Sequence, residues 1–296
     1  MTNEICTDVN RRHDFVLLFD VSDGNPNGDP DAGNLPRVDP ETMQGLVTDV
    51  SLKRKVRDWV DVARGTEARF KIYVQHETFL TDARDRVFSA RSGGRSSVPA
   101  SEGRQWMCDE FFDVRVFGAV MSMKEHNAGQ VRGPIQMTFA RSIDPIVPLD
   151  LSIVGPAQRQ GDVVRPSDGD EAPTTYGTMG RKALVPYGLY RAHGFFNPHF
   201  AAQTGVTEED MGLFWQALQE MWDLDRSSSR GMMACQGLYV FSHESSLGNA
   251  PAQRLFERVR VSARPGVVAA RSFADYTVEV DGSGLPDGVT LARLVE

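Results

Sequence analysis

At 296 residues, with 41% hydrophobic and 9% aromatic side chains, the chain has enough apolar material for a well-buried core and the composition of a soluble globular protein. Its formal charge of −8 argues against a polyanion-binding protein when the total is read alone. The distribution argues the other way: residues 1–50 hold three Lys/Arg against ten Asp/Glu and residues 51–104 hold twelve against seven, so −7 is followed by +5. A local field of that kind steers a polyanion whatever the net charge.

Cys6, Cys108 and Cys235 lie far apart and form no C-x-x-C pair, which fits a reducing cytosol and gives no metal-site spacing. Residues 1–12 lack the apolar core of a signal peptide, and no run approaches the ~18 apolar residues of a membrane span. A cytoplasmic location with no membrane partner is expected.

In chain order, the nearly continuous apolar run 15–21 predicts a strand buried on both faces. It enters a long segment of Gly, Pro, Asn and Asp, longer than an idle connection needs to be. Asp23, Asn25, Asn27 and Gly28 match the first half of an EF-hand loop, but its twelfth position is Asn34 and not Glu, and a strand stands where a helix should precede. Two metal readings stay open beside a nucleic-acid one: a calcium module on loop 23–34, and a nuclease whose carboxylates in 20–50 hold Mg²⁺. Without metal, the Asn and Gly residues supply turns with positive φ and present amides to a ligand.

A helix follows, with Thr48 or Asp49 as N-cap. Leu52, Val56, Trp59 and Val60 share an apolar arc; Lys53, Arg54 and Arg57 share a neighbouring one, and Lys55 lies beyond the far edge. No acid stands between Asp49 and Asp58, so this face suits a phosphate backbone; the alternative is a solvated basic face. Residues 70–74 read as a strand. Residues 81–107 are polar, Gly/Ser-rich and basic, with Arg84, Arg86, Arg91, Arg95 and Arg104 and little hydrophobic periodicity. They read as a surface insertion without order of its own, or as a basic flap that orders on nucleic acid.

Strands resume at 113–117 and 135–140, with Arg132 just ahead of the second and Gln136 near its start. A second polar insertion, 155–182, ends in Thr178-Met179-Gly180-Arg181-Lys182, where one Met among small residues precedes a basic pair. Thr207 opens a helix with a capping-box pattern to Asp210, and its stripe of Met211, Phe214, Trp215, Leu218, Met221 and Trp222 reads as core. A closing strand at 237–241, a short amphipathic segment at 251–261 and a strand at 273–280 complete the chain.

This order predicts an α+β fold: a ferredoxin-like or RNA-recognition-motif-like palm, one domain over 1–296, with large insertions at about 76–110 and 155–182. The RNP1 aromatic consensus is absent, so base stacking on the sheet is not expected. No Walker A loop, H-E-x-x-H or G-x-S-x-G is present, and the six histidines are scattered.

The run N-P-N-G-D-P-D…N-x-P-R-x-D…G-L-V-T-D-V-x-L-K-R-K-V-R-D resembles the N-terminal signature of the backbone subunit of type I-C CRISPR Cascade complexes, a branch of the RAMP superfamily. The stretches 113–136, 184–191 and 225–232 resemble later elements of that family. The resemblance implies a palm with fingers (76–110) and a thumb hairpin (155–182), and a non-catalytic subunit with no cofactor. It also implies copies that polymerise head to tail along guide crRNA and present it to target DNA. Further partners implied are the crRNA-processing subunit and the large subunit. Carried onto this sequence, it implies phosphate contacts at Lys53, Arg54, Lys55 and Arg57 and loop contacts at Asn25, Asn27 and Arg37. Arg132 and Gln136 follow, then Thr178, Met179 and Arg181 at the thumb. The 225–232 motif is expected in the same groove. Such a subunit accepts any guide, so its contacts should be to phosphate and sugar.

Overall fold

A computed structural model describes residues 2–76, 79–93, 95, 97–122, 126–154 and 179–296. After a single helical turn, α1 (Thr2–Ile5), the chain enters β1 (His13–Gly24). Its apolar run is buried on both faces, as its pattern predicts: Phe15, Leu17, Phe19 and Val21 join one core, Val16 and Leu18 another. Two short paired strands, β2 (Gly28–Asp29) and β3 (Leu35–Pro36), shape the loop that leads to β4 (Gln44–Val47). Helix α2 (Asp49–Arg64) is capped by Thr48, whose hydroxyl accepts from the Ser51 amide at 3.2 Å, and it buries Leu52, Val56 and Val60.

The segment expected to be a disordered or flap-like insertion is instead α3 (Leu80–Arg91) and α4 (Ala100–Glu110). These helices carry their own small core, in which Val87, Phe88, Met107 and Cys108 pack against Phe111, Val114 and Val131. The buried Arg84 and the exposed Arg86, Arg91 and Arg104 interrupt this sparse apolar stripe and hid it. Residues 70–74 form no strand; Phe70, Ile72 and Tyr73 are buried, but Lys71 makes only an isolated bridge to Phe111. The expected strand 113–117 is also corrected, to helix α5 (Phe112–Phe117), buried on every side. A short apolar run buried all round carries no periodicity to separate helix from strand.

A hairpin, β5 (Gly118–Met121) and β6 (Gly129–Arg132), leads to β7 (Ile135–Met137) and β8 (Ala140–Pro145), so the single strand expected at 135–140 is two. Next come β9 (Leu149–Val154) and the 18-residue β10 (Met179–Phe196), whose first third pairs with β9 from Met179↔Val154 to Leu184↔Leu149. Helices α6 (Pro198–Thr204) and α7 (Glu208–Leu224) follow; Thr207 and Asp210 form the predicted capping box, and the stripe from Met211 to Trp222 is core. Strand β11 (Met232–His243) is no closing strand, since β1 flanks it on one side and β14 (Val289–Val295) on the other. Between them lie α8 (Ala252–Phe256), β12 (Val259–Ala263) and β13 (Tyr276–Val280), the last shorter than the expected 273–280 because 273–275 form a 3₁₀ turn.

The main sheet runs β14-β11-β1-β10-β8-β4, with every pairing antiparallel. Helices α2 and α7 pack on one face, where Phe19 stacks on Trp222 at 4.7 Å and meets the core of both helices. The β12–β13 ribbon and α8 cover part of the other face. Arg191 pins them there by donating to the carbonyls of Val259 (2.7 Å) and Phe256 (2.6 Å). No described helix is long and apolar enough to cross a membrane.

Candidate nucleic-acid interface

The Asn/Gly loop is fastened to the segment after α7. The Asn25 amide donates to the Ser229 carbonyl at 2.7 Å, and Arg230 Nη1 donates to the carbonyls of Asn25 (3.2 Å) and Pro26 (3.4 Å). Gly24 permits this approach: a Cβ there would lie 1.9 Å from the Arg230 carbonyl oxygen. The 225–232 motif therefore does lie against the loop.

Within the loop Asn25 is buried, Asn27 and Asp29 are half-buried, and Asp23, Asp31 and Asn34 are exposed. Asn25 is 4% exposed; its Nδ2 donates to the Asn34 carbonyl at 2.7 Å, and its Oδ1 has no hydrogen-bond partner among the described residues. Asn27 Oδ1 accepts from the Thr48 amide at 2.9 Å, tying the loop to the start of α2. Arg37 pairs with Asp29 at 3.3 Å, and Asp29 also accepts from the Asp31 amide. The expectation that Asn25 and Asn27 present free amides is corrected for one atom of each: Asn25 Nδ2 and Asn27 Oδ1 bond the backbone. Of the side-chain oxygens in the EF-hand match, Asn27 Oδ1 is taken by the Thr48 amide. No group of three His, Cys, Asp or Glu side chains is placed to hold a metal among the described residues.

The four cations predicted on α2, Lys53, Arg54, Lys55 and Arg57, do not form the open basic face expected of them. Asp49 and Asp58, the acids that bound the run, reach back one turn to it: Lys53 pairs with Asp49 at 2.9 Å and Arg54 with Asp58 at 3.3 Å. Arg54 also donates to the Val74 carbonyl at 2.8 Å. Lys55, 3% exposed, contacts Asp225, which also holds Arg230 at 3.2 Å. Burial, with the Arg230 guanidinium second, pulls the Lys55 ammonium down to about 7. Arg57 is buried and its Nε donates to Asp113 Oδ2 at 2.8 Å; Asp113, 1% exposed, also accepts from the amides of Tyr73 and Val74.

The physical difference matters. Surface pairs such as Lys53–Asp49 are worth about 0–1 kcal/mol and exchange readily for a phosphate. Breaking a buried pair such as Arg57–Asp113 costs about 3–5 kcal/mol.

The remaining predicted residues fall at two places. Lys53 and Arg57 lie over the Phe117 ring (5.8 and 5.3 Å), and Gln136 Nε2 donates to the Gly133 carbonyl at 3.1 Å beside it. Arg132 is exposed, rests on the Phe200 ring at 4.4 Å, and has no carboxylate partner among the described residues. Elsewhere, a polar cleft of about 300 Å³ is lined by Asn25, Asn34, Ser229, Asp150, Arg181 and Lys182. Arg181 is 79% exposed and touches Asp150, while Lys182 has no carboxylate partner among the described residues. Met179 opens β10, and Thr178 lies outside the described residues. Sequence reasoning missed Lys182 and the Asp225–Arg230 bridge; the carboxylate at the start of D-R-S-S-S-R-G was the available signal.

These features define an α+β protein with a large antiparallel sheet and with cations gathered near a glycine-rich loop. The sequence model of the family described as CRISPR-associated protein Cas7 matches residues 11–281, and the chain belongs to that family. The CRISPR-associated protein Cas7 of Haloferax volcanii is 25% identical over 238 residues, which span 70% of this chain and 64% of that protein. A chain of a CRISPR RNA-guided surveillance complex in a pre-nicking state is 13% identical with a TM-score of 0.49, covering 78% of each chain. A chain of another CRISPR RNA-guided surveillance complex is 14% identical with a TM-score of 0.46, covering 78% of this chain and 68% of that one.

Proposed function

We propose that the chain is a non-catalytic backbone subunit of a type I-C CRISPR surveillance (Cascade) complex, gripping guide crRNA by phosphate and sugar and presenting it for pairing with target DNA. Membership of the Cas7 family over residues 11–281 carries this reading. The N-P-N-G-D-P-D signature and its companion motifs support the subtype. The order β11-β1-β10-β8, with α2 after β1 and α7 after β10, supports a ferredoxin-like palm. In this reading α3 and α4 are the fingers, and the β9–β10 ribbon is a limb of the thumb. Other copies of the chain, the crRNA-processing subunit and the large subunit are its partners, in the cytoplasm.

Burial divides the site residues into two roles. Lys53, Arg54, Arg37, Arg132, Gln136 and Arg181 are at least partly accessible and serve as contacts, with Thr178 and Met179 at the thumb. Lys55 and Arg57, together with Asn25 and Asn27, hold the loop, the helix and the 225–232 segment in register. A covering of β12, β13 and α8 on the sheet face supports RNA running on the loop side and not stacked on the sheet.

The triple replacement Lys53→Ala/Arg132→Ala/Arg181→Ala tests this division. If each cation meets one phosphate, the slope of log affinity against log salt for single-stranded RNA flattens by roughly 0.7 per contact, or about 2 in all. The loss is equal for unrelated sequences, since phosphates carry no base identity. An unchanged slope in a folded triple variant contradicts the assignment, and a loss confined to some sequences indicates base reading.

A further inference from the structure

Strand β11 is paired on both sides over only part of its length. Its inner edge lies against β1 from Met232 to Ser242, whereas β14 covers the outer edge only from Leu238 to His243. Among the described residues no strand covers the outer edge from 232 to 236. A register shift against Leu18/Phe19 skips Gln236, a bulge placed where β14 departs. Bare edges are usually blunted by charge, by proline or by a covering element. Met232, Met233, Ala234 and Cys235 supply no charge and no proline, and a cleft of about 620 Å³ follows their edge.

The cleft has two walls. On the helix side stand Trp222 and Arg226, where Met233 and Cys235 join the core of α7; on the other stand Arg271 and Phe273. Its acids are already engaged. Asp20 Oδ2 accepts from Tyr187 Oη and Gln236 Nε2, each at 3.0 Å, and Asp223 pairs with Arg226. The Arg271 guanidinium donates only to the Ala270 carbonyl and has no carboxylate partner among the described residues.

We propose that the bare edge at residues 232–235 receives an extended segment of a partner protein by β-strand addition, with an acidic side chain of that segment meeting Arg271. A row of backbone donors and acceptors between two walls fits another backbone, and alternate side chains of an added strand then point to opposite walls. Apolar side chains suit the Trp222 wall, and the unpaired guanidinium on the other wall selects a carboxylate. This surface is separate from the cations assigned to guide RNA.

The probe is a capped, fluorescent hexapeptide of alternating valine and glutamate, with fluorescence anisotropy as the readout on the full chain. It binds, and a lysine-for-glutamate version binds about tenfold more weakly or worse. N-methylation of one alternate set of its amides weakens binding about tenfold or more, whereas methylation of the other set is tolerated, because only one edge of the peptide pairs. Arg271→Ala, at an exposed position outside helix and strand, weakens it about fivefold, and hydrogen exchange at residues 232–235 slows when peptide is present. The proposal is overturned if the peptide does not bind, if both methylated versions bind like the parent, or if the lysine peptide binds equally. A short single-stranded RNA that displaces the peptide and protects the same amides also overturns it, by assigning the cleft to nucleic acid.

Discussion

The Arg57–Asp113 pair separates a helix that holds the fold from a helix that grips phosphate. Replacing Asp113 with Ala strands a guanidinium that is 9% exposed and removes the acceptor of two amides, those of Tyr73 at 2.7 Å and Val74 at 3.1 Å. Breaking a buried ion pair costs about 3–5 kcal/mol, and the orphaned amides add to this without summing independently. Against a typical total stability of about 5–15 kcal/mol, that is a large fraction. Arg57→Met keeps the stem volume and removes the charge, leaving Asp113 with its two amide donors; a smaller loss of about 1–3 kcal/mol is expected. The double variant Asp113→Ala/Arg57→Met falls short of the sum of the singles by about 1–3 kcal/mol, because no unpaired charge remains. Urea titration followed by the fluorescence of Trp215 and Trp222, both buried beside β1, measures all three variants. Salt-dependent RNA binding of each folded variant supplies the second axis. An Arg57→Met protein with an unchanged urea midpoint and a salt slope flattened by about 0.7 refutes the structural role and restores Arg57 to the phosphate contacts.

Two further outcomes follow from buried and looped polar groups. His13 is fully buried between Ser242 Oγ and the Asp8 carbonyl, and burial pulls its imidazole down to about 4 from 6.5. Between these values the unfolded chain binds the extra proton, so stability is complete above 6.5 and declines as pH falls towards 4. The loss reaches about 3 kcal/mol, and a urea midpoint that does not move from pH 7 to pH 4.5 contradicts it. In loop 23–34, Asp29 already serves Asp31 and Arg37, so EDTA should leave RNA affinity and Tm unchanged. Calcium-dependent stabilisation, or divalent-dependent cleavage of RNA or DNA lost in Asp29→Ala, supports the metal readings instead.

Long, strongly patterned elements were legible in the sequence. The run in β1, the Thr48-capped helix and the Thr207–Asp210 capping box each carry their signal within a few residues. What was hidden depends on distant partners. The basic run in α2 looked unopposed because Asp113 and Asp225 lie far along the chain, and only the fold brings them to Arg57 and Lys55. The helices α3 and α4 were obscured because part of their core is supplied by residues 111–131, so neither needs a wide apolar stripe. Buried on all sides, α5 has no period to read, and the pairing of β14 beside β11 is a long-range choice. For the candidate site, exposure was not legible: Asn25 and Arg181 line one cleft, whereas Asn27 bonds the Thr48 amide and Lys55 and Arg57 are buried against Asp225 and Asp113.

The most direct test of guide-RNA-dependent assembly is the mass of the complex, by light scattering, as single-stranded RNA is lengthened at saturating protein. A backbone subunit whose copies contact head to tail forms an interface that does not close, so the number of copies rises in proportion to RNA length and independently of sequence. A mass that stays at one copy for every RNA length, or the same assembly without RNA, contradicts it.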